Sequence, residues 1–328
     1  MTGVEQTVVM TGASRGIGRI AARQMLSARP ETHLVLLSRN DPRDLVSELQ
    51  AHGGSVSVVH ADLSSLQSVA DATDAVIDLV QSDGLPPIRG LVCNAGVQHT
   101  SALTETVDGF ESTFAVNVLA GHVLVRRLHD HLHPQARVVV TVSDTHFGDF
   151  RHNLGMVPGP RWQPVEMLAK VGAFPDPSST KAGRTAYSTS KLAAIYLVHE
   201  YARRLSVDRT FVGYNPGFVP GTDLARDADP ISRFAMRWIM PALTLTPLAT
   251  SPGKAGRFLA DAALGAVAAP NGAYIDRHKV ARSSPESYDP GREQDTWEAV
   301  EALTAGFLSS ATDNEGNTDA HHRHHRSQ

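Results

Sequence analysis

The sequence predicts an α/β fold in which helices cover both faces of a single doubly wound, parallel β-sheet. Short apolar runs rich in Val, Leu and Ile alternate with longer segments of helical period. Such continuous apolar runs are typical of strands that are buried on both faces, as in a parallel sheet. The regular alternation of strand and helix favours right-handed βαβ crossovers.

The elements follow in chain order. Strands are predicted at 7–10, 33–38, 55–60, 88–93, 136–142 and 209–214. Helices are predicted from Gly16 to Ala28, around Leu45 and Leu49, and through the apolar positions between Leu66 and Val80, because apolar residues there recur every three or four positions. A later helix is predicted to contain the stretch AYSTSK at 186–191.

Two irregular segments interrupt this alternation. The segment at about 144–184 contains five prolines, and another irregular segment occupies about 216–250. Loops of this length are usually lids, binding elements or disordered segments. We therefore expect one domain over 1–310, with an insert at 144–184 and a substrate loop at 216–250. A polar, disordered tail is expected at 311–328.

Composition excludes several classes of function. The 328 residues carry a net charge of −4, which gives no electrostatic reason to expect nucleic acid as a partner. The single cysteine, Cys93, cannot form an internal disulfide. No run of about 18 uncharged apolar residues predicts a membrane span, and the N-terminus does not resemble a signal peptide. No histidine or cysteine spacing predicts a metal site. A cytoplasmic protein is expected.

The stretch TVVMTGASRGIGRIAA (7–22) predicts a phosphate-binding turn between the first strand and the first helix. Gly12, Gly16 and Gly18 allow a tight turn and a close approach of the backbone to a pyrophosphate. The helix N-terminus then offers unpaired N–H groups and the positive end of its dipole. Ser14, Arg15 and Ile17 lie in the same turn and belong to the predicted cofactor site. The structural alternative is an ordinary turn.

The end of the second strand predicts which dinucleotide binds. An NAD site commonly places Asp or Glu there, to accept a hydrogen bond from the ribose 2′-hydroxyl. This sequence has Ser38 and Arg39, and its first acid, Asp41, precedes Pro42 and reads as a helix N-cap. Arg39 and Arg15 are suited to a 2′-phosphate, unless both are solvated surface charges. We predict NADP(H) rather than NAD(H).

Seven motifs occur in an order that resembles the short-chain dehydrogenase/reductase family over about residues 5–275. They are TGASRGIG (11–18), Asp62 in HADLSS, NAG (94–96), Asn117 in FAVNVLAGH, Ser143 after the fifth strand, YSTSK (187–191) and NPG (215–217). The resemblance implies a Rossmann-like fold that binds a nicotinamide cofactor and a small-molecule substrate.

The resemblance also implies a role for each matching residue. Tyr187 would donate the proton, Ser143 would bind the substrate oxygen, Lys191 would bind the nicotinamide ribose, and Asn117 would hold a water in a relay to Lys191. Asp62, with Leu63 beside it, would contact adenine. The backbone of Asn94, Ala95 and Gly96 would line the cofactor, and Pro216 and Gly217 would wall the nicotinamide.

The spacing of Tyr187 and Lys191 makes chemical sense of these roles. Tyrosine has an unperturbed pKa of about 10, and a nearby positive charge stabilises its phenolate. Residues at i and i+4 share one face of a helix, so Lys191 is expected to lie beside Tyr187 and to lower the pKa of its phenol.

Each residue also has a structural alternative. Tyr187 and Lys191 could be a half-buried tyrosine and a surface lysine, and Ser143 could be a strand cap. Asn117 could make a purely structural hydrogen bond within its apolar helix. Asp62 could belong to the N-cap region of the following helix.

Two features depart from the family pattern. Asp144 stands where many members have a small hydroxyl residue, and its carboxylate could repel anionic substrates or point away. Tyr187 lies 44 positions after Ser143, a longer step than in many members. Inserts here resemble those of the carbonyl reductase, retinol dehydrogenase and protochlorophyllide reductase branches. Such an insert could cover the substrate pocket and block helix pairing, so a monomer or homodimer is expected.

The predicted function is NADPH-dependent hydride transfer between nicotinamide and a carbonyl or alcohol of a small molecule. An apolar stripe after the sixth strand predicts an apolar or aromatic substrate, unless the stripe is core packing: Phe234, Met236, Trp238, Ile239 and Met240. Two alternatives stay open. One is reduction of a C=C bond on the same fold, and the other is a non-catalytic sensor that binds NADP(H) without turnover.

Overall fold

One β-sheet runs through the protein, whose computed structural model describes residues 3–153, 155, 157–206, 208–220 and 249–309. Within these residues the strands are β1 Gln6–Thr11, β2 Thr32–Ser38, β3 Ser55–His60, β4 Ile88–Cys93, β5 Leu132–Thr141, β6 Thr210–Asn215, β7 Tyr274–Asp276 and β8 Lys279–Ala281. They lie in the order β3-β2-β1-β4-β5-β6-β7-β8. All paired neighbours are parallel except β7 and β8. The predicted doubly wound α/β fold is confirmed.

The ends of the sheet differ from the prediction. The short strands β7 and β8 were not predicted, and they form an antiparallel hairpin because only two residues, Arg277 and His278, connect them. Strand β5 begins at Leu132, four residues before the predicted start, and its register against β4 shifts between Ile88 and Gly90.

Helices and helical turns connect the strands. They are α1 Gly16–Ala28, α2 Arg43–Ala51, α3 Leu66–Gln81, α4 Ser112–Phe114, a π-helical turn Ala115–Leu119, α5 Ala120–Leu128, α6 Phe150–Asn153, α7 Val165–Leu168, α8 Thr180–Arg204, α9 Pro252–Ala263 and α10 Pro290–Leu308. Short 3₁₀ turns occur at His129–His131, Asp144–Phe147 and Pro285–Tyr288.

The helices cover both faces of the sheet. Because side chains alternate along a strand, Val8 and Met10 of β1 pack in a core with α1, α2 and α9. Val9 faces the opposite core, which α3, α5, α8 and α10 cover. The two faces of each central strand are therefore both buried, as the apolar runs predicted.

The described part of the 144–184 segment packs onto the body of the protein. Val165, Leu168 and Phe174 are buried in the same core as α3 and α5. The ring of Trp162 meets Tyr196 of α8 edge to face, with ring centroids 4.8 Å apart. Backbone hydrogen bonds join Ala102 to the segment at two points: its N–H donates to the Pro177 carbonyl, and its carbonyl accepts from the Gly172 N–H.

Several predictions lie outside the described residues. They are the 221–248 part of the substrate loop, the tail beyond 309, and the apolar stripe of Phe234, Met236, Trp238, Ile239 and Met240.

Candidate active site

The predicted site residues gather at the carboxyl ends of the parallel strands. The strand order reverses between β1 and β4, because the chain proceeds from β1 to β2 on one side and from β4 to β5 on the other. In open α/β sheets, ligands bind in the crevice outside such a switch point. The loops that follow β1, β4, β5 and β6 all open onto this end of the sheet.

The glycine turn after β1 packs so closely against the loop after β4 that side chains would not fit. A Cβ on Gly12, whose φ is +70°, would lie 2.8 Å from Ala95 Cα. A Cβ on Gly18 would lie 2.0 Å from the Gly12 carbonyl oxygen. The side chain of Asn94 donates to this same carbonyl over 3.2 Å. The turn is thereby fixed in a tight conformation.

The N-terminus of α1 suits an anion. Arg15 is at the N-cap position, its side chain makes no capping hydrogen bond, and no acid occurs in the first turn. By contrast, Ser65 caps α3 and Ser179 caps α8. The first N–H groups of α1 and its dipole therefore face the crevice without a side-chain cap, and they fit a phosphate. Ser14 is exposed in this turn, and Ile17 is half-buried.

Arg39 is exposed at the end of β2, where the sequence predicted a cofactor contact. The nearest acid along the chain, Asp41, accepts a hydrogen bond from Arg43 Nε over 2.5 Å. The N-cap prediction for Asp41 was wrong, because α2 begins at Arg43 and Pro42 occupies the N-cap position. The end of β2 therefore presents an arginine, while its neighbouring acid is paired.

Asp62 and Leu63 lie at the end of β3, beside β2, since Ser38 pairs with His60 in the sheet. The Asp62 carboxylate accepts hydrogen bonds from the backbone N–H and the hydroxyl of Ser64, over 3.0 and 2.7 Å. The structural alternative for Asp62 is thus observed as a turn before α3. The adenine contact stays a prediction.

A chain of hydrogen bonds joins the glycine turn to the predicted catalytic residues. Thr11 Oγ1 accepts from the N–H groups of Asn94 and Ala95, each over 3.0 Å. Thr141 Oγ1 donates to Asn94 Oδ1 over 3.3 Å. The Thr141 carbonyl then accepts from Lys191 Nζ over 2.8 Å. The ends of β1, β4 and β5 are thereby held together with α8.

Tyr187 and Lys191 lie one turn apart on α8 and are almost fully buried. Lys191 Nζ is 5.6 Å from the centroid of the Tyr187 ring. Burial raises the pKa of the phenol above its usual range, the Ser143 hydroxyl opposes that rise, and the Asp144 carboxylate adds to it. Burial lowers the pKa of the Lys191 ammonium to about 8.

The predicted lowering of the phenol pKa by Lys191 was wrong. Burial disfavours the charged form of each group, and it is the largest cause of the pKa shift of both. The Lys191 ammonium is directed at the Thr141 carbonyl. At neutral pH the Tyr187 phenol therefore keeps its proton.

Asn117 lies in the π-helical turn between α4 and α5. Its Oδ1 accepts from the Val97 N–H over 2.9 Å, and its Nδ2 donates to the Val97 carbonyl and to Ser190 Oγ. A Cβ on Gly96 would lie 3.2 Å from Asn117 Oδ1 and 3.4 Å from Lys191 Nζ, so these three residues converge. The side chain makes structural hydrogen bonds, and the water relay stays a prediction. Single π turns are frequent at functional sites.

Asn215 ties the loop after β6 to the turn that carries Ser143. Its Oδ1 accepts from the N–H groups of Asp144 and Gly217, each over 3.1 Å. Pro216, half-buried, follows Asn215. A Cβ on Gly217 would lie 2.7 Å from Arg277 Nε. The predicted nicotinamide wall therefore abuts the turn that carries Ser143.

Three residues of this region were missed in the sequence. His146 Nδ1 donates to the Ser143 carbonyl over 2.5 Å, and its Nε2 accepts from the Ser284 N–H. Asp276 Oδ1 accepts from Asn215 Nδ2 over 2.9 Å, and Arg277 donates to Thr250 and Asp276. The only sequence signal for His146 was its position three residues after Ser143. The other two follow from β7, which was not predicted.

The described residues contain no group of three His, Cys, Asp or Glu side chains arranged to hold a metal ion. No helix of the described chain is long and apolar enough to cross a membrane.

Comparison with known proteins places these observations in context. The family model for short chain dehydrogenases matches residues 6–153. Protochlorophyllide reductase A of Hordeum vulgare, a chloroplastic protein, is 30% identical to this chain, and the match covers 90% of this chain and 79% of the relative. The short-chain dehydrogenase iccH of Talaromyces variabilis is 26% identical, with 89% and 93% covered.

Solved structures share the fold. An uncharacterized protein from Mycobacterium Paratuberculosis has a TM-score of 0.62 and 25% identity, covering 91% of this chain and 93% of that chain. A blue fluorescent protein from a metagenomic library, solved in complex with NADPH, has a TM-score of 0.59 and 22% identity, with 84% and 96% covered.

Proposed function

This chain belongs to the short-chain dehydrogenase/reductase family, and from that premise we propose that it is an NADP(H)-dependent oxidoreductase acting on a carbonyl or alcohol group of a small apolar or aromatic molecule. The observation that carries the proposal is the continuous set of contacts from the glycine turn to Tyr187 through Asn94, Thr141 and Lys191. The proposed phosphate site and the proposed proton donor are thereby connected through the ends of β1, β4 and β5.

The residues present fit a dinucleotide. The tight glycine turn and the uncapped N-terminus of α1 would hold its pyrophosphate. Arg15 and Arg39 would bind a 2′-phosphate, since the acid nearest Arg39 along the chain is paired with Arg43. Lys191 would bind the nicotinamide ribose, and Pro216 and Gly217 would wall the ring. The bound cofactor supplies the hydride.

The protein's own part is the proton on the substrate oxygen. Reduction of a carbonyl needs an acid at the moment the oxygen becomes negative, and Tyr187 holds its proton at neutral pH because burial raises the pKa of its phenol. The hydroxyl of Ser143, which acts on the pKa of this phenol, would donate to the same oxygen.

Reduction of a C=C bond is the second candidate. It is favoured by similarity to protochlorophyllide reductases along 90% of this chain. A protonated phenol would serve this chemistry equally well. The third alternative, a non-catalytic NADP(H) sensor, has no need for a phenol, an ammonium and a serine hydroxyl joined in one buried set.

Two broader parts of the proposal concern the whole chain. We propose that residues 1–310 form one unit that acts as a monomer or homodimer. The cytoplasmic location stays a prediction, since some relatives are chloroplastic proteins.

The test follows NADPH absorbance with a panel of ketones, aldehydes, quinones and enones. We expect oxidation of NADPH by at least one class, with the class separating carbonyl from C=C reduction. Tyr187→Phe should lower kcat by about 10²- to 10⁴-fold, the usual contribution of a positioned acid. NADPH affinity, measured by fluorescence titration, should stay within a few-fold. Undiminished turnover in Tyr187→Phe would contradict the assignment of the proton donor.

A further inference from the structure

The residue after the catalytic serine has its carboxyl group inside the site. Asp144 is 8% exposed, and its N–H is held by Asn215 Oδ1. Its Oδ1 lies 3.5 Å from Ser143 Oγ, at the outer limit of a hydrogen bond. The carboxylate therefore does not point away from the catalytic turn.

The hydrogen-bond capacity of Ser143 is limited. A serine hydroxyl has one proton to donate and two lone pairs. Ser143 Oγ accepts from the Thr145 N–H over 3.3 Å, which leaves one lone pair and its own proton. A carboxylate can only accept, so an ionised Asp144 takes the one proton that Ser143 can donate.

A protonated Asp144 reverses this arrangement. Its carboxyl O–H donates to Ser143 Oγ, and the serine proton becomes available to another acceptor. At that place the acceptor is the oxygen of a substrate that is also receiving the Tyr187 proton. The charge state of Asp144 thus decides whether Ser143 assists the reaction.

We propose that Asp144 is a positioning residue that acts through Ser143: its protonated carboxyl frees the serine hydroxyl to donate to the substrate oxygen, and its carboxylate withdraws that hydroxyl. This inference rests on the proposed oxidoreductase function and adds a control of its proton-handling site. The interaction with the oxygen strengthens as charge develops there, so the effect belongs to kcat more than to KM.

The surroundings of Asp144 bring the change between its protonated and ionised forms near neutral pH. Burial raises the pKa of its carboxyl to about 7, the Arg277 guanidinium opposes that rise, and the Asp276 carboxylate adds to it. The Arg277 side chain is held by hydrogen bonds to Thr250 and Asp276. The titratable and charged groups that act with Asp144 come from three places: Tyr187 of α8, Tyr274 and Asp276 of β7, and Arg277 after β7.

The experiment compares wild type with Asp144→Asn and Asp144→Ser, using NADPH and the best carbonyl acceptor from pH 5.5 to 9. Wild-type kcat should fall with a midpoint near pH 7, by about tenfold for each unit above it. The kcat of both variants should stay constant with pH until Lys191, whose pKa is about 8, loses its proton. Asp149→Asn is the matched control, since Asp149 is an exposed acid of the same segment.

A second measurement reports the titration of Asp144 without turnover. The folded pKa lies above the unfolded value of 3.8, so the folded protein holds the proton more tightly, and stability falls as pH rises from about 4 to about 7. The Tm of Asp144→Asn relative to wild type should therefore rise over this range. The Tm of Asp149→Asn relative to wild type should not rise in this way.

The outcomes are distinguishable. If wild type oxidises NADPH and the kcat profile of Asp144→Asn superposes on it, the role of Asp144 is wrong while the proposed function stands. If Asp144→Asn and Asp144→Ser lose activity equally at every pH, Asp144 has a different role and the inference is also overturned. If wild type shows no turnover with any acceptor, the proposed function itself has failed.

Discussion

Tyr187 and Lys191 show how burial acts on two groups placed side by side. The spacing of four residues puts them on one face of α8, and this much follows from helix geometry alone. Their nearly complete burial moves the pKa of each group toward its uncharged form. At neutral pH the proposed donor, Tyr187, therefore enters the reaction with its proton in place.

We propose that one exposed arginine, Arg39, sets the choice of cofactor. Replacing Arg39 with Asp should lower the preference for NADPH over NADH, because a charge-assisted hydrogen bond worth about 1.5–3 kcal/mol becomes a repulsion. We expect kcat/KM with NADPH to fall roughly tenfold to a hundredfold or more. The measurement is the ratio of kcat/KM for the two cofactors.

Arg43→Asp is the control for this change. Arg43 is also exposed, lies four residues further along, and is paired with Asp41. Arg43→Asp should alter the ratio of kcat/KM for NADPH and NADH far less than Arg39→Asp does. Equal effects of the two substitutions would show a general loss of positive charge rather than recognition by Arg39.

The sequence predicted the positions of site residues where they depend on local geometry. It did not predict properties that depend on how deeply a side chain is buried. The order of the motifs pointed to the ends of β1, β4 and β5, where hydrogen bonds connect Thr11, Asn94 and Thr141. It did not reveal that Asp144 is buried. Burial depends on which distant segments pack nearby, and β7 brings Asp276 against Asn215 from 61 positions away.

The glycine turn with α1 is the element that the sequence predicted most fully. Its close packing requires that Cβ atoms be absent, and that absence is visible as glycine in the sequence. Strands β7 and β8 are three residues each, too short to display a period, so no comparable signal exists for them. The described part of the insert contributes Val165 and Phe174 to the core, which its prolines did not predict.

Gly18→Ala tests the close packing of this element. The added Cβ would lie 2.0 Å from the Gly12 carbonyl oxygen, so the backbone of the turn must shift. We expect a loss of about 1–3 kcal/mol in the free energy of unfolding and at least about tenfold weaker NADPH binding. Urea unfolding and fluorescence titration measure the two effects.

Gly306→Ala in α10 is the matched substitution, because a Cβ there would meet nothing within 4 Å. Alanine in a helix interior should stabilise by about 0.5–1 kcal/mol relative to glycine. NADPH binding should not change. If Gly18→Ala bound NADPH as tightly as wild type, the turn would not be the phosphate site.

At the scale of the whole molecule, α10 covers α5 and α8 on one face of the sheet. His122 of α5 is fully buried beneath it, with Nδ1 3.0 Å from the Tyr201 hydroxyl and Nε2 2.8 Å from Glu301 Oε1. A carboxylate can only accept, so Nε2 carries the proton and Nδ1 accepts from Tyr201. Burial lowers the pKa of His122, so the ring is neutral near pH 7.

This arrangement connects residues that are 179 positions apart, so no local pattern could have predicted it. Glu301 also accepts from Arg126 over 2.6 Å, and Arg126 and Arg204 lie over the Trp297 ring at 5.5 and 5.1 Å. The last helix of the described chain is thus fixed to α5 and α8 by polar contacts as well as by its apolar side chains.

Glu301→Ala should therefore destabilise the protein by about 1–3 kcal/mol, because the buried Nε2–H of His122 loses its acceptor. Glu301→Gln keeps an acceptor oxygen and should cost less. Glu298→Ala, an acid of the same helix that bonds only Gln294 in the described chain, should change stability by no more than about 0.5 kcal/mol. The free energy of unfolding of all three variants is compared from their urea unfolding midpoints, provided that the denaturant slope m is unchanged. If Glu301→Ala were no more destabilising than Glu298→Ala, the contact between His122 and Glu301 would not hold α10 in place.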